Sequence, residues 1–195
     1  FSQTARFLRT FLAQGFNTHG GRVVFSGLHL HAGAAGQLPI LAPGSGARSA
    51  TSGATPTFTD PELRGVQEPP FTYAELAAAM RARNEPLPKL VVTHMSTDYF
   101  SLRASLARTG IDGGTADVPL PETVRLYDVA GAAHALNTAA SHPDCEQPLG
   151  RLDYRPVMRS ALVALQRWVN GADDPPPSAL MLLVAAEGPS VLGAP

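Results

Sequence analysis

One cysteine, Cys145, stands in 195 residues. No disulfide can form within the chain, and cysteine usage points neither to an oxidising compartment nor to a CxxC metal site. Charge is scarce as well: Asp, Glu, Lys and Arg make up 16% of the residues and the formal net charge is −1. Such a balance lacks the field that draws a protein onto nucleic acid or an anionic membrane surface, and it suggests a small-molecule partner. No apolar run reaches the roughly 20 residues needed to span a bilayer; the tail stretch 179–186 falls far short. The HExxH pattern of a metalloprotease is missing. The stretch GSGARSATSGAT has glycines but neither the P-loop lysine nor a preceding strand with GxGxxG spacing, so it reads as a flexible loop.

What is present is an alternation of two hydrophobic periods, in a chain long enough for one domain with a real core. Gln3 to Gln14 repeats Ala5, Leu8, Phe11 and Leu12 at helical spacing, and Gly15 follows as a helix-ending residue. Arg22 to Leu30 carries the β-rich run Val23, Val24 and Phe25 and predicts a strand ending in the Gly/Ala loop from His31 to Gly36. From about Gln37 to Pro70 Gly, Pro, Ser and Thr prevail without periodicity, and Tyr73 to Arg83 then turns helical. The stretch of about 37–85 is expected to be a lid-like insertion.

Leu87 to Thr97 reads as a buried parallel strand, Tyr99 to Arg108 as a helix and Thr123 to Ala130 as a further strand. Asp153 to Asn170 is the strongest helix, with Asp153 as N-cap and Gly171 as C′ residue. This order of elements forces an α/β fold, a parallel sheet with helices on its faces. The expected division is one domain over 1–177 and a loose extension over 178–195.

In such sheets reactive groups gather at the carboxyl ends of the strands. Asp98 follows one predicted strand and His134 follows the next by a short Gly/Ala loop. A carboxylate and an imidazole on neighbouring strand ends form the acid and base of a nucleophile-activating pair. Ser2, directly before the first helix, supplies the nucleophile, with the helix N-terminus and the Gln3 backbone N–H favouring a developing oxyanion. The chain order Ser2, Asp98, His134 is that of α/β-hydrolases and of neither chymotrypsin nor subtilisin.

The opening FSQTARFLRTFLAQGFN with RVVFSGLHLHAGAAG, then THMSTDYF, VAGAAHA and LDYRPVMRSALVALQRWV, resembles a bacterial α/β-hydrolase domain family of largely unassigned substrate. Its members carry a GYSQ-type nucleophile elbow before a similar helix. The resemblance spans about 1–177. It implies that Ser2 is the nucleophile, Asp98 the acid, where the family usually has Glu, and His134 the base.

The resemblance also implies a partial α/β-hydrolase fold. The elbow glycine, the N-terminal strands and the second oxyanion donor are expected upstream of Phe1, as is any targeting signal. On that expectation the 195-residue piece expressed alone is poorly folded and inactive.

The function expected is that of a serine hydrolase acting on a small-molecule carboxylic ester without a cofactor. A non-catalytic binding module on the same fold, an amidase or an acyltransferase are the alternatives. Several residues admit other readings. Ser2 taken alone is an ordinary N-cap. His142 is the second candidate for the base; Asp128, Asp112 and Asp117 compete with Asp98 for the acid. His29 and His31, two apart at a strand end, could face one side as metal ligands, but no third ligand accompanies them. His94 sits mid-strand and reads as core. His31 is a candidate for the rim of the site, and Phe71, Tyr73, Tyr99 and Phe100 for the wall of an acyl pocket.

Overall fold

The computed structural model describes residues 1–33, 35–36, 70–109, 116–136, 141, 146, 148 and 150–182. The fold is organised by three parallel strands, β3 (Gly27–His31), β4 (Lys89–Met95) and β5 (Val124–Val129), in the order β3-β4-β5. His31 lies beside Thr93, and His94 beside Asp128. The middle strand is buried at every position after Lys89, because both of its faces are covered. Such a strand must read as a continuous apolar run.

One face is covered by α1 (Gln3–Ala13) and α2 (Tyr73–Ala82). Ala5 and Leu12 from α1 and Tyr73, Leu76 and Met80 from α2 meet Leu28, Leu30, Leu90, Val92, Val124 and Leu126 from the sheet. The other face is covered by α5 (Arg155–Val169), whose Ala161, Leu165 and Trp168 pack on Val91. A third, smaller cluster joins Met95, Ala132 and Tyr154 under the carboxyl ends of β4 and β5.

Local chemistry sets the helix limits. Thr72 and Glu75 form a reciprocal capping box at the start of α2. At the other ends Gly15, Asn84 and Gly171 take positive φ as C′ residues. Their N–H groups and those of Phe16, Glu85 and Ala172 return to carbonyls of the last turn, the Schellman arrangement. Tyr154, not Asp153, occupies the N-cap of α5, though the Asp153 carboxylate accepts the Arg155 N–H at 3.0 Å.

The structure departs from two of the sequence expectations. The run Val23, Val24, Phe25 is not the core strand. Arg22–Val23 is the second arm (β2) of a two-stranded antiparallel hairpin with Thr18–His19 (β1). Gly20 and Gly21 at φ 56° and 74° form its tight turn, and the apolar run stays largely exposed. The parallel strand begins four residues later, at Gly27, where Leu28 and Leu30 turn inward. The helix expected over Tyr99 to Arg108 is two short ones, α3 (Ser96–Ser101) and α4 (Leu106–Thr109), separated where Arg103 adopts φ 54°.

Within the expected insertion, α2 is part of the core; 37–69 lie outside the described residues. The start of the expected loose extension is also bound. Ala179 bridges Tyr127 in parallel, Ser178 Oγ accepts the Leu126 N–H, and the Met181 N–H donates to Asp128 at 2.8 Å. Residues 183–195 lie outside the described part. Among the described residues no helix is long and apolar enough to cross a membrane.

Candidate active site

Ser2 stands at the N-cap of α1 with φ 55° and ψ −120° and makes no side-chain cap hydrogen bond. A residue with a Cβ reaches that region only where its surroundings hold it there, at a cost of order 1–3 kcal/mol. The hold is visible: the Ser2 N–H donates to the His31 carbonyl at 2.8 Å, which ties the turn to the carboxyl end of β3, and its own carbonyl begins the helix. The hydroxyl is thereby left for a partner outside its own backbone. That partner is His134, whose Nε2 lies 3.0 Å from Ser2 Oγ.

His134 follows β5 after a turn at Gly131 (φ 72°). Its Nδ1 lies 2.5 Å from Asp98 Oδ1. Asp98 is in the first turn of α3, fully buried, and its second oxygen accepts the Met95 backbone N–H at 2.9 Å. Both carboxylate oxygens are occupied, so the charge is fixed in direction, and the imidazole bridges it to the hydroxyl. The structure thus joins Ser2, His134 and Asp98 in one hydrogen-bonded chain. Two of the competing candidates are engaged elsewhere. Asp117 pairs with Arg108, Asp128 binds the backbone of Met181, and Asp112 and His142 lie outside the described residues.

Around the chain lies a ring of aromatic groups. Phe1 stacks obliquely between His31 at 5.2 Å and His134 at 5.0 Å, and Tyr154 meets His31 at 5.5 Å. The Tyr154 hydroxyl donates to the His134 carbonyl at 3.3 Å. His31 therefore stands beside the hydrogen-bonded chain. Phe71 and Tyr73, expected in an acyl pocket wall, are instead core. Both are buried and hold the Arg9 guanidinium over their rings, at 4.2 and 4.7 Å. Tyr99 lies under the Arg108 guanidinium at 5.3 Å, and the side chain of Phe100 is outside the described part.

His29 and His31 share the hydroxyl of Thr93, at 3.1 and 2.9 Å. The same hydroxyl has one proton and also reaches Met158 Sδ at 3.6 Å, so it accepts from at least one of the two rings. Burial, and then the neighbouring imidazole, pull His29 down to about 4. Burial also brings His31 to about 4, against the opposing pull of Asp98. Among the described residues no group of three or more His, Cys, Asp and Glu is placed to hold a metal ion.

The two depressed histidines make stability depend on pH. They are neutral in the folded state down to about pH 4 but charge near 6.5 when unfolded, so the unfolded chain takes up protons between these limits. Their contribution is whole above about pH 6.5 and falls as pH drops toward 4. Allowing for the solvent that reaches the rings, the loss by pH 5 is on the order of 1 kcal/mol for the pair. Urea midpoints at pH 5 and pH 7 should differ more in the wild type than in a His29→Gln/His31→Gln variant; equal differences would refute the assignment.

Comparison with known proteins agrees with the geometry. A model of a family described as an alpha/beta hydrolase domain matches residues 1–192. The chain belongs to that family, and its fold is a partial α/β-hydrolase fold built on a parallel sheet. Membership places it among hydrolases in general. Neither a curated protein nor a solved structure gave a match.

Proposed function

We propose that the protein is a carboxylic-ester hydrolase working through Ser2, His134 and Asp98. The observation that carries this reading is the unbroken hydrogen-bonded chain from Ser2 Oγ through both imidazole nitrogens to a buried carboxylate. His134 Nε2 accepts the hydroxyl proton as Ser2 Oγ attacks the ester carbonyl. Asp98 holds the ring in the tautomer whose Nε2 is free to accept and stabilises the imidazolium that forms. The negative charge developing on the carbonyl oxygen lies against the first turn of α1, where the Gln3 N–H is the donor next to the nucleophile. The imidazolium returns its proton to the departing alcohol, and water attacks the acyl-enzyme by the same route to release the acid.

The strain at Ser2 supports the same reading. A plain N-cap serine uses its hydroxyl on the helix N–H groups, and this one does not. His31, neutral and at the rim, is suited to a hydrogen bond with an uncharged part of the ester.

Fluorophosphonate labelling of the full chain followed by peptide mass mapping tests the proposal, since the reagent reports an activated serine whatever the natural substrate. An adduct on Ser2 that disappears in His134→Ala is the expected result. A folded protein that takes up no reagent would instead be a binding module. Amide hydrolysis or acyl transfer by the same triad would show in the products formed from ester, amide and alcohol acceptor.

A further inference from the structure

Three segments far apart in sequence meet at the proposed triad, and His134 lies on the least regular of them, five residues beyond the last residue of β5. Its side chain is about one-third exposed, so packing alone does not fix it. Two hydroxyl groups outside the triad hold its backbone. Ser96 opens α3, two residues before Asp98. Its Oγ accepts the Gly131 N–H at 2.7 Å and donates to the Val129 carbonyl at 3.3 Å, so one side chain bridges the end of β5 to the turn after it. Tyr154, at the start of α5, reaches the loop from the other side and donates to the carbonyl of His134 itself. Its ring is buried with Met95 and Ala132, and so is fixed to the ends of β4 and to the same loop.

We infer that Ser96 and Tyr154 are positioning residues of this site: a pair of hydroxyl clips that set the distance between the His134 ring and both of its partners. The inference rests on the hydrolase reading. Asp98 and Ser96 belong to one turn, so that turn holds the acid and also fixes the loop that carries the base. Any shift of α3 moves acid and base together and preserves the 2.5 Å contact between them. Loss of the Ser96 hydroxyl uncouples the two and leaves the Gly131 N–H without its acceptor. Loss of the Tyr154 hydroxyl releases the His134 carbonyl while the ring remains in its cluster. Neither hydroxyl donates to or accepts from Ser2, His134 Nε2 or Asp98, so the clips act on geometry and not on the proton path.

Misplacement of a catalytic group by about an ångström costs up to ~100-fold in rate, and each clip accounts for part of that. In the full chain, Ser96→Ala and Tyr154→Phe are each expected to lower kcat about 10-fold with KM within about twofold of the wild type. Because both hold one loop, the double variant should cost more than either single but no more than about 100-fold. Ser96→Thr, which keeps the hydroxyl, should restore most of the rate. Rates are normalised to the fraction of Ser2 that fluorophosphonate titrates, so a variant that merely folds less well keeps its rate per active site. If the wild type takes up no reagent at Ser2, the hydrolase reading fails and the clips fall with it. If the wild type is labelled but the titrated variants turn over at the wild-type rate, or Ser96→Thr does no better than Ser96→Ala, the hydrolase reading stands and the positioning role is overturned. Should Ser96→Ala not fold, Tyr154→Phe decides alone.

Discussion

Ser2→Ala in the full chain is expected to lower kcat on an activated ester by ~10⁶-fold and to leave the protein folded. The size follows from what is removed: without the hydroxyl the imidazole has no proton to take, and only water held near the oxyanion donors remains. Asp98→Asn should cost less, ~10⁴-fold, because the serine and histidine remain but the amide no longer enforces the tautomer with a free Nε2. His134→Ala should match Ser2→Ala, and the double variant should be no worse than either single, since the three groups act as a unit.

A stability measurement separates this reading from a structural role for Ser2. The residue sits at φ 55°, ψ −120°, which glycine adopts freely. Ser2→Gly should therefore be inactive yet raise the unfolding temperature by a few degrees, about 1 kcal/mol of released strain. A structural serine would lose stability on the same change. Steady-state kinetics and thermal melts of these variants check both statements, and a Ser2→Gly protein that is less stable and still active would refute them.

The second large effect is expected at Arg9. This arginine is fully buried on the inner face of α1, its guanidinium between the rings of Phe71 and Tyr73. It donates to the carbonyl of Ala35 at 3.0 Å and to that of Phe71. Burial lowers its pKa from the ordinary arginine value, while the nearby Glu75 and Tyr73 oppose the fall. Arg9→Ala takes its donor from the Phe71 carbonyl, leaves that of Ala35 with the Phe71 N–H alone at 3.3 Å, and opens a cavity between two aromatic rings, so the cost is about 3–5 kcal/mol. For a chain of this size that lowers the unfolding temperature by roughly 10 °C. Arg9→Lys should recover only part of it, since an ammonium cannot reach two carbonyls as a planar fork does. Arg9→Met, a volume match without the charge, should fall between them. A melt of Arg9→Ala within 2 °C of the wild type would contradict this account.

Arg9 also marks where sequence reading reaches its limit. The helix was legible from Ala5, Leu8, Phe11 and Leu12, but an arginine in the next register position reads as solvated. Its burial depends on Ala35, Phe71 and Tyr73, which no local period connects to it. The strands β4 and β5 were legible within two residues at either end, because a strand covered on both faces must be apolar throughout. The strand β3 was placed too early: Val23, Val24 and Phe25 have higher β propensity than Gly27 to His31, yet Gly20 and Gly21 commit the first of these to a hairpin. Propensity there gave way to turn geometry.

The site was legible to the extent that chain order and strand ends constrain it. Ser2, Asp98 and His134 are brought together, and His31 stands beside them. The groups that hold them, Ser96, Thr93 and Tyr154, carried no motif; their roles come from a backbone path that folds a serine and a tyrosine onto one loop. The buried set of His94, Asp128 and Arg108 was similarly hidden, since each looks ordinary in its own element.

Ser2 and His134 are 132 residues apart, and Asp98 and His134 are 36 apart. During synthesis the serine emerges long before its base, and β5 must pair with β4 before the imidazole can reach it. Contacts of such separation form late, after the loops between them have been closed at an entropic cost. Until then Ser2 is an ordinary alcohol, no more reactive than any other serine on the ribosome. On the proposed function the long span would act as a timing device. A chain interrupted anywhere before residue 134 would lack the proposed base, and the reactivity proposed for Ser2 would be deferred until the sheet that contains it has been built.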